Sequence, residues 1–98
     1  MKINKKLNDD ELIIELDGRL DTNTSPDLQW ELDKHINSIK TLIFDFKNLM
    51  YISSAGLRVI LSTQKIMNEQ GTMVIKNVND LVMEVFEATG FADILNIE

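Results

Sequence analysis

Apolar and polar positions alternate over residues 11–17, with Leu12, Ile14 and Leu16 on one face and Glu11 and Glu15 on the other. A period of two marks a half-buried strand. Residues 2–7 carry a weaker version, with Ile3 and Leu7 on one face, and Asn8-Asp9-Asp10 predicts the turn of a hairpin joining the two. Gly18 to Asn23 predicts a loop. The period then changes. Thr24 or Ser25 is placed to cap a helix, with Pro26 in its first turn and Asp27 at the positive end of its dipole. Leu28, Leu32, His35, Ile36 and Ile39 fall within an arc of about 100° on that helix, a core-facing stripe with Trp30 opposite.

The run Thr41-Leu42-Ile43-Phe44-Asp45-Phe46 is apolar enough for a central strand covered on both faces, with 47–53 as the loop after it. From Ser54 to Glu69 two stripes predict a helix. Leu57, Ile60, Leu61 and Met67 form one; Ala55, Val59 and Ile66 form the other, which is either buried or offered to a partner. Gly71 is expected to end this helix as a left-handed cap. Thr72 to Lys76 predicts a short strand, and Asn79 caps a helix over 80–88 with Leu81, Val82, Val85 and Phe86 inward. Gly90 stops it, and Phe91 to Ile97 is left as a helical turn or an edge segment. The order is β-β-α-β-α-β-α in one α/β domain spanning 1–98, and helical crossovers make the sheet mostly parallel after an antiparallel first strand.

Composition narrows the function. With 98 residues the chain holds one core and no deep cleft between domains. Ten basic against 16 acidic residues give a net charge of −6. That argues against nucleic acid and anionic membrane surfaces as partners. There is no cysteine, which removes disulfides and thiolate chemistry and fits the cytoplasm, and the single His35 excludes any two-histidine site. His35, on its core-facing stripe, is a packed residue rather than a catalytic one. Met50, Met67, Met73 and Met83 are core or rim filler. Residues 1–10 are too polar for a signal peptide, and no apolar run approaches the length of a membrane span. The balance favours a partner-binding module over an enzyme, with no cofactor or metal.

Functional loops of a parallel sheet gather at the carboxyl ends of its strands. Topology therefore predicts that Asp21, Thr22, Asn23, Asn48, Tyr51, Ser53 and Ser54 share one edge. Met50-Tyr51-Ile52-Ser53-Ser54-Ala55-Gly56-Leu57 puts two hydroxyls where a loop becomes a helix. Three uses compete there: a helix cap, a phosphorylation switch and a nucleophile. The nucleophile is weakest, because no Gly-x-Ser-x-Gly elbow is present. Small Ala55 and Gly56 are expected to let another molecule approach.

Gly18-Arg19-Leu20-Asp21 after the second strand, and Ser53-Ser54-Ala55-Gly56-Leu57 after the apolar strand, resemble the two signatures of STAS domains. The likeness is greatest to bacterial anti-sigma factor antagonists. It covers essentially the whole chain and implies a mixed sheet with helices largely on one side. It further implies that Ser54 is phosphorylated by a partner that is both anti-sigma factor and serine kinase. Unphosphorylated antagonist would bind that partner and free the sigma factor; phosphorylation would release it, and a serine phosphatase would reset it. The implied contact surface comprises Asp21, Thr22, Asn23, Tyr51, Ser53, Ala55, Gly56, Arg58 and Val59. The family's Asp before the acceptor is Ser53 here, and Ala55 follows the acceptor, so Ser53 stands as the alternative acceptor. A non-switching STAS subunit of a transport or stress-signalling assembly is the alternative function. The net acidity suggests that an added phosphate would enter a negative neighbourhood.

Overall fold

In a computed structural model describing residues 1–98, four strands pair in chain order: β1 (Lys2–Asn8), β2 (Glu11–Leu20), β3 (Thr41–Ile52) and β4 (Thr72–Lys76). β1 and β2 form the antiparallel hairpin, and β2-β3 and β3-β4 are parallel. The helices are α1 (Ser25–Asp33), α2 (Ser54–Gln70) and α3 (Asp80–Thr89), followed by a 3-10 turn at Phe91–Asp93. The predicted order and mixed sheet are therefore observed.

Alternation explains the layering. Leu12, Ile14, Leu16, Leu42, Phe44, Phe46, Met73 and Ile75 project to one side and join Leu28, Leu32, Leu57, Ile60, Met67, Val82 and Phe86 from the helices in a single buried cluster. Phe46 meets both Phe44 and Phe86, with ring centroids 5.7 and 6.4 Å away. The helices thus lie on one face. The other face carries Ile13, Ile43 and Val74 in register, half-buried, among charged residues. β3 is central but closed over on one face only, not on both.

The two longer strands run past their predicted ends. β2 reaches Leu20 and β3 reaches Ile52, so 18–20 and 47–52 are not loop. Register shifts between Glu15 and Asp17, and between Gly18 and Arg19, add residues to β3 and break its period of two while the ladder continues. α1 is shorter than its stripe. It stops at Asp33, yet Ile36 and Ile39 stay buried because residues 34–38 form successive turns. The Gln70 side-chain amide donates to the Ile36 and Ile39 carbonyls at 2.5 and 2.8 Å, tying the turns after α1 to the end of α2.

Gly71 is not a left-handed cap. Its φ is 177°, an extended backbone, and a Cβ there would sit 1.9 Å from the Lys40 carbonyl oxygen. Glycine is needed for that close approach, which also lets the Thr72 N–H donate to the Lys40 carbonyl at 2.9 Å. Asn79 caps α3 as expected, its Oδ1 accepting from the Val82 N–H at 2.9 Å. Leu81 was expected inward and is 52% exposed; Val82 and Phe86 carry the contact instead. The tail is both of its alternatives: the 3-10 turn, then an edge bridge from Ile97 to Ile75.

Candidate functional site

The ends of β2 and β3 fix the start of two helices. Leu20 and Ile52 are in register, and the Ser53 N–H still donates to the Leu20 carbonyl at 2.9 Å after β3 has ended. Beyond that bond the chain turns into α2. Ser53 is extended at φ −94° and ψ 175°, and its Oγ accepts from the Gly56 N–H at 3.3 Å. Its carbonyl accepts from the Leu57 N–H at 2.9 Å. Ser53 is thus the cap, half-buried and engaged. Ser54 is the first residue of α2 and is exposed, with no hydrogen bond from its hydroxyl to another side chain or to the backbone.

On the β2 side, Asp21 organises the entry to α1. Its Oδ1 accepts from the Asn23 and Thr24 N–H groups at 3.0 and 3.1 Å, and its carbonyl accepts from the Ser25 N–H and Oγ at 2.8 and 2.5 Å. Thr24 flanks α1 but its hydroxyl does not cap it. That oxygen accepts from the Asp21 N–H at 2.9 Å and donates to the Arg19 carbonyl at 2.8 Å. Partial burial pushes the Asp21 carboxyl up. The Thr24 and Asn23 N–H donors, the Thr24 hydroxyl and the Arg19 charge together outweigh it, so the group lies below the ordinary carboxylate range.

Arg19 is the residue that sequence reasoning left without a role. Its guanidinium lies 4.2 Å from the Tyr51 ring centroid and its Nε is 3.8 Å from Asp21 Oδ2. The register that pairs Arg19 with Tyr51 makes this stack, and the predicted loops at both positions concealed it. Met50 is also displaced from its expected place: it is 66% exposed, one residue from Tyr51.

The register of β2 and β3 places Asp21, Tyr51 and Ser53 at one edge. Thr22 and Asn23 are exposed in the turn before α1, Tyr51 and Ala55 are half-buried, and Val59 and exposed Arg58 follow on α2. Two departures stand out. Asn48 lies inside β3, paired with Asp17, and lines a depression of about 190 Å³ with Glu15, Leu16, Asp45 and Lys47 that contains none of the edge residues. Gly56 is buried, and a Cβ there would lie 2.8 Å from Leu20 Cγ and 3.0 Å from Ile52 Cγ1. Its smallness therefore lets α2 settle on β2 and β3; it does not offer a surface to another molecule. The edge is also less acidic than the net charge suggests, since Arg19 and Arg58 accompany Asp21 there.

His35 is half-buried beyond α1, with Nε2 3.4 Å from Lys5 Nζ, and Lys5 also pairs with Glu31. No hydrogen bond joins the His35 ring to Ser54.

Comparison with known proteins follows the same lines. A family model described as the STAS domain matches residues 2–98. The anti-sigma F factor antagonist of Paenibacillus polymyxa is 33% identical over 89 residues, covering 88% of this chain and 76% of that one. The anti-sigma factor antagonist SpoIIAA in its unphosphorylated form superposes with a TM-score of 0.85 at 19% identity, over 99% of this chain and 88% of that one. The Bacillus cell fate determinant SpoIIAA in the phosphorylated form gives a TM-score of 0.79 at 18% identity, over 99% of this chain and 91% of that one. At those identities the two structures speak for the fold.

Proposed function

The chain belongs to the STAS domain family, and from that membership we propose that it is an anti-sigma factor antagonist switched by phosphorylation of Ser54. In this reading the unphosphorylated chain binds an anti-sigma factor that is also a serine kinase, in the cytoplasm, and so frees a sigma factor. The chain itself is a binding protein and not an enzyme. Transfer moves the γ-phosphoryl group of ATP to Ser54 Oγ. The Oγ–P bond forms, the bond to the β–γ bridging oxygen breaks, ADP leaves and the hydroxyl proton passes to a base of the kinase. A serine phosphatase later hydrolyses the ester.

One observation carries the choice of acceptor. Ser53 holds the helix cap and Ser54 presents a free hydroxyl one residue on. Phosphorylating Ser53 would cost its cap bond and require exposure of a half-buried group; phosphorylating Ser54 requires neither. The phosphate brings about −1.5 to −2 charge and considerable bulk to the contact edge. An unpaired charge buried in an interface costs about 2–5 kcal/mol, and about 2.7 kcal/mol is a hundredfold in affinity. Asp21 supports the same surface by holding the neighbouring turn, with Thr22, Asn23, Tyr51, Ala55, Arg58 and Val59 around it.

The test is a phosphopeptide map after incubation with ATP and the anti-sigma kinases of the source organism. One phosphate is expected on the peptide containing Ser54, absent in Ser54→Ala and kept in Ser53→Ala. Binding of Ser54→Asp to the same kinase should be weaker by about a hundredfold. Phosphate on Ser53, or Ser54→Asp binding as tightly as wild type, would overturn the assignment. A second reading draws on Ser53 and Ala55 standing where the family pattern has Asp and a hydroxyl residue: a non-switching subunit of a larger assembly. It predicts stable co-purification with that assembly, unaffected by ATP.

A further inference from the structure

Arg58 stands four residues after Ser54 on α2, and both side chains are exposed. Residues at that spacing lie one above the other on a helix, with Cβ atoms about 5–6 Å apart. Helical side chains lean toward the N-terminus, so Arg58 covers the turn that begins with Ser54. Nothing on its own helix competes for it. α2 has no acidic residue in its first turn, the neighbours three and four positions on are Leu61 and Ser62, and the first carboxylate of the helix is Glu69. No carboxylate elsewhere lies within ion-pair distance of its guanidinium. Arg19, the other cation of the edge, is already engaged by the Tyr51 ring and Asp21.

We infer that Arg58 is the internal counter-ion of phosphorylated Ser54, pairing with the phosphate across one turn of α2. This rests on the assignment of Ser54 as the acceptor. A guanidinium presents a planar fork that matches phosphate oxygens two at a time. The pair forms without moving the backbone, because both residues already lie on the same ordered helix. Phosphorylation then does two things to the contact edge. It adds the phosphate, and it withdraws Arg58 from any acidic group of the partner that the unphosphorylated edge attracts. The charged groups that face the phosphate are Arg58 from α2 and Asp21 and Arg19 from the end of β2; Arg58 alone among them has no standing partner.

The experiment installs phosphoserine at position 54 during synthesis of the full chain, so that no kinase is needed. The second ionisation of the phosphate is then followed by phosphorus NMR against pH. Wild type should titrate about half a pH unit lower than Arg58→Gln, since an adjacent cation favours the dianion. Arg58→Lys should recover part of the shift and Arg19→Gln should leave it unchanged. Equal titration of wild type and Arg58→Gln, or a shift abolished by Arg19→Gln instead, would overturn the pairing. Failure of every kinase to modify Ser54 in the phosphopeptide map would overturn the functional reading while leaving this titration to stand or fall separately.

Discussion

A methyl group at position 56 would press on Leu20 and Ile52 at 2.8–3.0 Å, atoms near the branch points of buried side chains that have little room to yield. Overpacking of that kind costs about 1–3 kcal/mol, and the helix gains about 1 kcal/mol from Gly to Ala. Gly56→Ala should therefore lose about 1 kcal/mol net, read as a lower urea midpoint at unchanged slope. Gly71→Ala meets backbone, not side chain, and should lose more, about 3 kcal/mol. Both glycines are visible in the sequence, and Gly71 does end α2, but the close contact that each makes is not visible there. The nearest contacts that require them come from Leu20 and Lys40, 36 and 31 positions away, and no local pattern reports a neighbour at that distance. Ser53 and Ser54 were legible as a pair, but which one caps the helix depends on where β3 ends.

Two of the three helices, α2 and α3, start on a side-chain cap, and α1 does not. α3 has a side-chain cap at Asn79, whose Nδ2 also donates to the Leu49 carbonyl at 2.7 Å and so ties α3 to β3. Asn79→Ala should lose both bonds, about 1–2 kcal/mol in chemical denaturation, while Asn79→Asp should retain the cap and lose only the tie. The cap and the alternation of β2 could be read locally, and they were. The far ends of β2 and β3 could not. Gly18 and Asn48 are turn-forming types, and the register shifts erase the period of two in β3 after Phe46, while β2 keeps it to Leu20. Hydrogen bonding to the neighbouring strand keeps both segments extended against their local preference. Reading 18–23 and 47–53 as loops therefore hid Arg19 against Tyr51 and put Asn48 at an edge it does not reach.

Across the whole molecule, two carboxylates lie below the ordinary range, Glu31 joining separate elements and Asp21 bracing its own turn. For Glu31 the leading cause is its bond to Lys5, which joins α1 to β1; partial burial opposes it, and Lys34 adds to the lowering. For Asp21, partial burial is outweighed by the donors of its own turn. Between the lowered folded values and the unfolded values near about pH 4, the unfolded chain binds more protons, so stability rises with pH there. The contribution is present above that range and is lost as pH falls through the folded values. Urea denaturation between pH 5 and 2 should show a shallower acid loss in Asp21→Asn and Glu31→Gln than in wild type. The layering is largely legible because it depends on alternation and helical period; the Glu31–Lys5 bond depends on which elements pack together, and so is not. The bond from the Ser53 N–H to the Leu20 carbonyl also bears on timing. It fixes the start of α2 before any partner arrives, so no ordering step separates encounter from contact. On the proposed reading, the pace of a response at Ser54 would then be set by the lifetime of the complex and the turnover of the modifying enzymes, with differences among interface variants falling chiefly in the dissociation rate.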